Sequence, residues 1–141
     1  MDSPQSKFNS TSDIQVLLVD DERDFLTTME FWLKSQGYNV ETANSGQEAL
    51  RILKTKTPNV VFMDIQMPHM DGIETLRQIR SFSKDLPVVM ITAHGDEEKR
   101  NEAYKLNAYA FFDKTKDFYE ADNIIRSVLH FFTRPKKEST E

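Results

Sequence analysis

The chain has 141 residues, a length that fits one domain built around a single hydrophobic core. Its 18 basic and 23 acidic residues give a net charge of −5, which argues against a nucleic-acid-binding surface in this segment. The absence of cysteine excludes disulfides and thiolate metal sites, and the longest purely apolar run, Ala108 to Phe112, is far below the roughly 18 residues that cross a bilayer. No N-terminal signal sequence is visible, so we expect a soluble cytoplasmic protein with no membrane contact.

The two ends of the chain differ in composition from its centre. Residues 1–12 are rich in Ser, Thr and Asn and predict a flexible N-terminal tail. The last residues, 134–141, read "RPKKESTE" and are typical of a polar tail or of the start of a linker. A stand-alone protein and a piece of a longer one both remain open, and residues 13–133 form the predicted domain.

Within that domain, short apolar runs alternate with helical stretches five times. The runs are residues 14–19, 38–43, 59–63, 87–91 and 108–112. The stretches between them carry apolar residues at helical spacing: Phe25, Met29, Trp32 and Leu33; Ala49, Leu50 and Leu53; Ile73, Leu76 and Ile79; Ile125, Val128, Leu129 and Phe132. Such alternation predicts an α/β fold of three layers, in which helices cover both faces of a parallel sheet.

The composition of each run indicates its place in the sheet. The first, third and fourth runs are almost purely aliphatic, as central strands must be. The second alternates polar and apolar residues, and the fifth is aromatic with flanking charges, so both are predicted at edges. Right-handed crossovers then give the strand order 2-1-3-4-5, a flavodoxin-like doubly wound (βα)5 sheet.

Two of the predicted helices have recognisable beginnings. Asp71, just before "GIETL", is the expected N-cap of the third helix. Asp96 is the expected cap of the fourth, Asp96 to Leu106, which offers only Ala103, Tyr104 and Leu106 for burial. Because so little apolar area anchors it, we expect this helix to be the most mobile element.

Polar side chains stand at four of the predicted strand ends. Asp20 and Asp21 follow the first strand, Asp64 ends the third, Thr92 ends the fourth and Lys114 follows the fifth. The carboxyl ends of parallel strands share one edge of a sheet, where ligands bind in open α/β folds. Three carboxylates brought together there repel one another unless a cation lies among them, and an oxygen-only site favours Mg²⁺.

Asp64 is the predicted nucleophile of this group. A carboxylate, Mg²⁺, the charge of Lys114 and the hydroxyl of Thr92 can together hold a tetrahedral anion attached to Asp64. The simpler alternative is that Asp64 caps the third helix, but Asp71 fills that role better. Capping of the first helix is likewise the alternative role for Asp20 and Asp21, although it does not require two consecutive acids.

With these motifs the sequence resembles the receiver domains of two-component response regulators. The motifs are "VDDE", "MDIQMPHMDG", "MITA" and "FFDK", in this order, and the resemblance covers Ile14 to Phe132. It implies that Asp64 accepts a phosphoryl group from a sensor histidine kinase or a phosphotransfer protein. It also implies that Asp21, Asp64 and the backbone carbonyl of Gln66 bind Mg²⁺ directly, with Asp20 acting through water.

The resemblance further assigns a conformational switch. Lys114 and Thr92 would contact the phosphoryl oxygens, and Phe111, three residues before the Lys, would rotate inward when Thr92 moves. The rotation would re-pack the face of helix 4, strand 5 and helix 5, through which partners or an output domain are controlled. Because Phe111 lacks the hydroxyl of Tyr, we expect its ring to favour the inward state.

Two residues depart from the family pattern. Thr115 follows Lys114 where the family usually has a cis-bonded Pro, and a cis bond before Thr costs about 2.5–4 kcal/mol, so we expect a trans bond. Asn107 precedes the fifth strand where Gly is frequent, and Asn tolerates the left-handed conformation of a helix cap.

A phospho-accepting switch has two alternatives. A Mg²⁺-dependent phosphohydrolase would need an acid two residues after its nucleophile, where Gln66 stands. An interaction module that works without phosphorylation should have lost at least one of the five site residues.

Gln66 and His94 flank the expected phosphoryl group and are hypothesised to modulate water attack on it. A monomer or a weak dimer through helices 4 and 5 is expected, since Phe131 or Phe132 would be exposed.

Overall fold

The computed structural model describes residues 11–93 and 95–132, and for Phe132 only the backbone. After a short 3-10 helix, Thr11–Asp13, the strands are β1 Gln15–Val19, β2 Asn39–Ala43, β3 Val60–Asp64, β4 Val88–Thr92 and β5 Ala110–Asp113. The helices are α1 Arg23–Ser35, α2 Gly46–Leu53, α3 Gly72–Phe82, α4 Glu97–Lys105 and α5 Phe118–Phe132. The predicted tails lie largely outside the described residues and stay predictions.

The strands form one parallel sheet in the order β2-β1-β3-β4-β5. The predicted fold class and strand order are therefore confirmed. All residues of β3 and β4 are buried, whereas β2 alternates between exposed and half-buried positions along most of its length. These patterns follow from position, because a central strand is covered by helices on both faces and an edge strand is not.

Alternate residues of β1 show how the three layers are built. Leu17 and Val19 face a core cluster that includes the buried residues of α2, α3 and α4. Val16 and Leu18 face a second cluster on the other side of the sheet, which includes the buried residues of α1 and α5. Successive side chains of a strand point to opposite faces, so one short run supplies both cores. None of the helices in the described ranges is long and apolar enough to span a membrane.

The N-cap prediction for the third helix is confirmed. The Asp71 carboxylate accepts a hydrogen bond from the backbone N–H of Glu74, 2.9 Å away. Ser45 caps α2 in the same way, through the backbone N–H of Glu48. Helix α1 instead begins after Glu22 with no side-chain cap, so neither Asp20 nor Asp21 is used as its cap.

Helix α4 has few apolar contacts, as expected. Not all of the three apolar residues predicted to be buried there are buried. Ala103 is buried and Leu106 half-buried, whereas Tyr104 is 73% exposed and the expectation for it was wrong. The end of the helix is held by polar contacts, because the Arg80 guanidinium donates to the backbone carbonyls of Leu106 and Asn107. Asn107 has φ 62°, which confirms the left-handed conformation expected of it.

Aromatic rings join α1 to α5. The ring of Phe118 lies 6.0 Å from that of Phe25 and 5.9 Å from that of Trp32, between centroids. Trp32 also meets Tyr119 edge to face at 5.4 Å. Such tilted and edge-to-face pairs add to the stabilisation that burial of the rings provides. Phe131, further along α5, is 61% exposed, while the side chain of Phe132 lies outside the described part of the chain.

A buried polar pair joins Tyr38, the residue before β2, to α5 and gives a stability prediction. The Tyr38 hydroxyl donates to the buried carboxylate of Asp122, which also accepts from Arg126 at 2.9 Å. Burial and the Asp122 charge raise the pKa of Tyr38 above its usual value, so the hydroxyl stays protonated. Tyr38→Phe should lower the free energy of unfolding by about 1–2 kcal/mol, because the buried carboxylate loses a donor. Urea unfolding measures the loss; an unchanged midpoint would mean that the pair contributes nothing.

Candidate functional site

The carboxyl end of the sheet brings the predicted site residues together. Asp20 directly follows β1, Asp64 ends β3, Thr92 ends β4 and Lys114 directly follows β5. The strand register aligns these ends, since Asp64 pairs with Ile91 and Thr92 with Asp113. Four chain segments far apart in sequence therefore place polar side chains at the same edge.

Three carboxylates form a compact cluster at this edge. Asp20, Asp21 and Asp64 each offer one oxygen, and these oxygens lie within 4.8 Å of one another. Asp20 is fully buried and Asp64 is 5% exposed, whereas Asp21 is open to solvent. Two buried like charges at such separation oppose ionisation of each other.

The ammonium group of Lys114 lies over the cluster. Its Nζ is 3.1 Å from Asp20 Oδ2, 3.4 Å from Asp64 Oδ2 and 2.7 Å from Oε1 of Glu22. Within the described residues no peptide bond is cis, so the trans bond expected between Lys114 and Thr115 is confirmed and does not prevent Lys114 from reaching Asp64. Glu22 was not among the predicted site residues. Its position in the sequence gives no sign of a contact with Lys114, which follows β5 and lies 92 residues further along the chain.

The surroundings shift the pKa of both partners. Burial, reinforced by the charge of Asp20, raises the pKa of Asp64 to about 7 although Lys114 lies nearby. Burial disfavours the charged form of Lys114, but its hydrogen bond to Glu22 and the charges of Asp64 and Asp20 together raise its pKa above the usual value. Lys114 is thus a permanent cation, while Asp64 exchanges its proton near neutral pH in the absence of a further cation.

The donor set fits a hard divalent cation. Asp20 Oδ1 accepts a hydrogen bond from the Glu22 backbone N–H at 2.8 Å, but Asp20 Oδ2 is fully buried and has no hydrogen bond within the described structure, only the ion pair with Lys114. A buried carboxylate oxygen without a hydrogen bond is costly unless a cation compensates it. Oxygen-only donors that are this close match the preference of Mg²⁺.

Gln66 and Asp96 contact each other beside the cluster. The Gln66 backbone N–H donates to Asp64 Oδ1 at 3.2 Å, and its side-chain Nε2 donates to Asp96 Oδ1 at 2.6 Å. The other Asp96 oxygen accepts from the backbone N–H of Ala93 at 2.8 Å. Asp96 precedes α4 as predicted, but its side chain makes no capping bond, so the capping prediction was wrong. Gln66 lies in a loop that meets Asp96 only in the fold, so no local sequence signal could have shown this contact.

Thr92 and Phe111, the predicted switch pair, lie on neighbouring strands. Thr92 is buried, and its hydroxyl lies 3.4 Å from the backbone carbonyl of Phe112. The ring of Phe111 is half-buried against the core cluster that contains α4, and the guanidinium carbon of Arg100 lies 4.8 Å from its centroid. The expectation of an inward bias stays a prediction. His94 lies outside the described residues.

The family of response regulator receiver domains matches residues 16–126 of the chain. The DNA-binding transcriptional regulator NtrC of Klebsiella pneumoniae is 37% identical over 115 residues, which cover 81% of this chain and 24% of that protein. The chain spans about a quarter of the length of such curated relatives, although it spans 48% of the regulator PhoP of Bacillus subtilis, to which it is 31% identical over 115 residues, 82% of this chain.

Solved structures agree with this similarity. A response regulator receiver domain protein from Clostridium thermocellum superposes with a TM-score of 0.79 and is 29% identical, with coverage of 84% of this chain and 95% of that one. The response regulator TrrA of Thermotoga maritima, solved in complex with Mg²⁺ and BeF, superposes with a TM-score of 0.74. It is 27% identical, and the alignment covers 82% of this chain and 98% of that one.

Proposed function

This chain belongs to the response regulator receiver domain family, and from that premise we propose that Asp64 accepts a phosphoryl group from a phosphohistidine. The donor would be a sensor histidine kinase or a phosphotransfer protein. The observation that carries the proposal is the position of Asp64, whose carboxylate is nearly buried among Asp20, Asp21 and Lys114 at the carboxyl end of the sheet. A carboxylate held against a cation in this way is a preorganised nucleophile.

In the transfer, an Asp64 carboxylate oxygen forms a new bond to phosphorus while the bond from phosphorus to the imidazole nitrogen breaks. The imidazole nitrogen keeps the bonding electron pair and takes up a proton from water, so the transfer needs no reactant besides solvent. Lys114, already 3.4 Å from Asp64 Oδ2, would donate to a phosphoryl oxygen. Thr92, at the end of the adjacent strand, would supply its hydroxyl to another.

The carboxylates of Asp20, Asp21 and Asp64 and the backbone carbonyl of Gln66 would hold Mg²⁺. The ion would neutralise negative charge on the cluster and on the incoming phosphoryl group. The buried Asp20 oxygen that accepts no hydrogen bond and the complex of TrrA with Mg²⁺ and BeF support this assignment.

Thr92 and Phe111 would carry the signal away from the site. Thr92 is packed beside β5, so a movement of its hydroxyl towards the phosphoryl group would open space next to Phe111. The ring of Phe111 would fill that space and leave the guanidinium of Arg100, which would re-pack the face formed by α4, β5 and α5. We propose that this face controls a partner or an output domain in the cytoplasm. The chain would catalyse only its own phosphorylation and dephosphorylation. It would thus be a switch and not an enzyme for other substrates.

Acetyl phosphate tests the proposal directly. With Mg²⁺ present, the intact mass of the protein should increase by one phosphoryl group, and chelation of Mg²⁺ should prevent the increase. A protein that keeps its original mass, with acetyl phosphate and with a phosphohistidine donor, would contradict the proposed function. Turnover of an added phosphomonoester would instead favour a phosphohydrolase.

Mg²⁺ binding should depend on pH. Because the pKa of Asp64 is raised to about 7, a proton occupies this carboxylate at pH 6 and competes with the metal. From pH 6 to pH 8 the ionised fraction rises about tenfold, so the apparent affinity should rise by about the same factor. Isothermal titration calorimetry with MgCl2 measures this slope. Asp64→Asn should bind Mg²⁺ more weakly and with little dependence on pH, and an equally flat profile for the wild type would contradict the prediction.

A further inference from the structure

Asp96 is a buried carboxylate for which the proposed phosphoryl transfer has no use. It is 2% exposed and precedes α4 without capping it. One of its oxygens accepts from the side chain of Gln66 and the other from the backbone N–H of Ala93. Burial of a charge is costly, so an arrangement in which both oxygens receive donors from the site loops requires an explanation.

The two residues that donate hydrogen bonds to Asp96 are close in sequence to Asp64 and Thr92. Gln66 lies two residues after Asp64, and Ala93 directly follows Thr92. A phosphoryl group on Asp64 would bring roughly two negative charges and three strong acceptor oxygens into this space. Those oxygens need N–H and O–H donors, and Asp96 holds two donors from the loops that carry Asp64 and Thr92. The new charge would also repel the Asp96 carboxylate.

Helix α4 depends on polar contacts of this kind. Ala103 is its only buried residue. Besides Asp96 at its start and the Arg80 contacts at its end, the helix is held by the ion pair of Lys99 with Asp71, at 3.2 Å, and by the contact of Arg100 with Phe111. An element with so little buried apolar surface changes position when a few polar contacts change.

We propose that Asp96 is an internal latch, which holds α4 and the loop before it against the site and is released when Asp64 is phosphorylated. Asp96 is thus a positioning residue that acts through Gln66 and Ala93 and opposes the phosphorylated state. This inference rests on the proposed function, since the competing anion is the phosphoryl group on Asp64.

Asp96→Asn tests the latch. The amide keeps the shape of the carboxylate but loses its charge and one of its two acceptors, so it cannot satisfy both Gln66 and Ala93. With Mg²⁺ present, calorimetry should show that the variant binds beryllofluoride, a phosphoryl analogue, about fivefold to tenfold more tightly than the wild type, the effect of one charge-assisted hydrogen bond. Hydrogen exchange of residues 97–105 without beryllofluoride should become faster, towards the rate in the beryllofluoride-bound wild type.

Glu97→Gln is the matched control. It makes the same change of charge one residue later, at an exposed position in the first turn of α4. It should leave both the beryllofluoride affinity and the exchange rates close to those of the wild type. An equal effect from Glu97→Gln would mean that net charge, and not the latch, governs the response, and would overturn the proposal.

A second variant covers the case in which Asp96→Asn fails to fold. Gln66→Met keeps the length of the side chain and the backbone carbonyl but removes the amide that donates to Asp96, and it should also speed exchange in α4. If either variant folds and exchange in α4 is unchanged, or if Asp96→Asn binds beryllofluoride no more tightly than the wild type, the latch is wrong and Asp96 is merely structural. A wild type that binds no beryllofluoride at all would overturn the proposed function itself, and the latch with it.

Discussion

Asp64→Asn is expected to abolish phosphorylation by acetyl phosphate, with a loss of at least about 100-fold in the rate of incorporation, or ~2.7 kcal/mol in activation free energy. The neutral amide is a poor nucleophile and weakens the metal site at the same time. Mass spectrometry after incubation with acetyl phosphate and Mg²⁺ measures the loss. Asp85→Asn removes the same charge from an exposed position in the loop between α3 and β4 and should react like the wild type.

The stability of Asp64→Asn shows whether the loss comes from chemistry or from misfolding. The pKa of Asp64 in the folded protein is raised to about 7, so ionisation of this buried carboxylate destabilises the fold progressively as the pH rises from 4 to 7. Without Mg²⁺, the variant should therefore be more stable than the wild type at pH 8, by on the order of 4 kcal/mol, and the gain should shrink towards pH 4. Phosphorylation of a stable, folded Asp64→Asn protein would refute the assignment of the acceptor.

Gly72→Ala is expected to cause the largest loss of stability, about 3 kcal/mol. A Cβ at residue 72 would lie 2.1 Å from the backbone oxygen of Asp64 and 2.9 Å from Cα of Ile65. Both contacts are with backbone, so no side chain can rotate away, and α3 must move from the end of β3. Since Gly72 N–H also donates to the Ile65 carbonyl at 2.8 Å, the displacement should reach Asp64 and slow its phosphorylation.

Gly95→Ala separates this clash from the conformational effect of losing a glycine. Gly95 has φ +95° and open space where a Cβ would be, so its substitution meets strain in the backbone but no neighbouring atom. It should cost about 1 kcal/mol, well below Gly72→Ala, when both are compared by urea unfolding. Equal losses for the two variants would show that the contact with Asp64 is not the cause.

The sheet and the ends of its strands could be predicted because each depends on a local pattern. Aliphatic runs identified the central strands, and the polar residues after them had to meet at one edge once the order of strands was known. Asp71 and Asn107 were also predicted correctly, since a helix cap is formed within a few residues of chain.

Contacts between distant loops could not be predicted in this way. Glu22 reaches Lys114 across 92 residues of sequence, and Asp96 reaches Gln66 across 30. Asp96 has the residue type and position of a helix cap, yet its carboxylate turns to donors from the folded site. Tyr104 was expected among the few apolar residues that bury α4, but its side chain is 73% exposed. In each case tertiary packing determines the surroundings of the side chain, and a local sequence pattern carries no information about tertiary packing.

The ring contacts between α1 and α5 determine what fluorescence can report. Trp32 is the one tryptophan of the chain, and it packs on Phe118, which in turn packs on Phe25 beneath the ammonium of Lys114. The indole therefore lies across the sheet from α4. Its emission will follow global unfolding and changes in the packing of Phe118 and Phe25, whereas a movement of α4 alone will leave the emission unchanged. An optical probe of that helix therefore has to be introduced there by substitution.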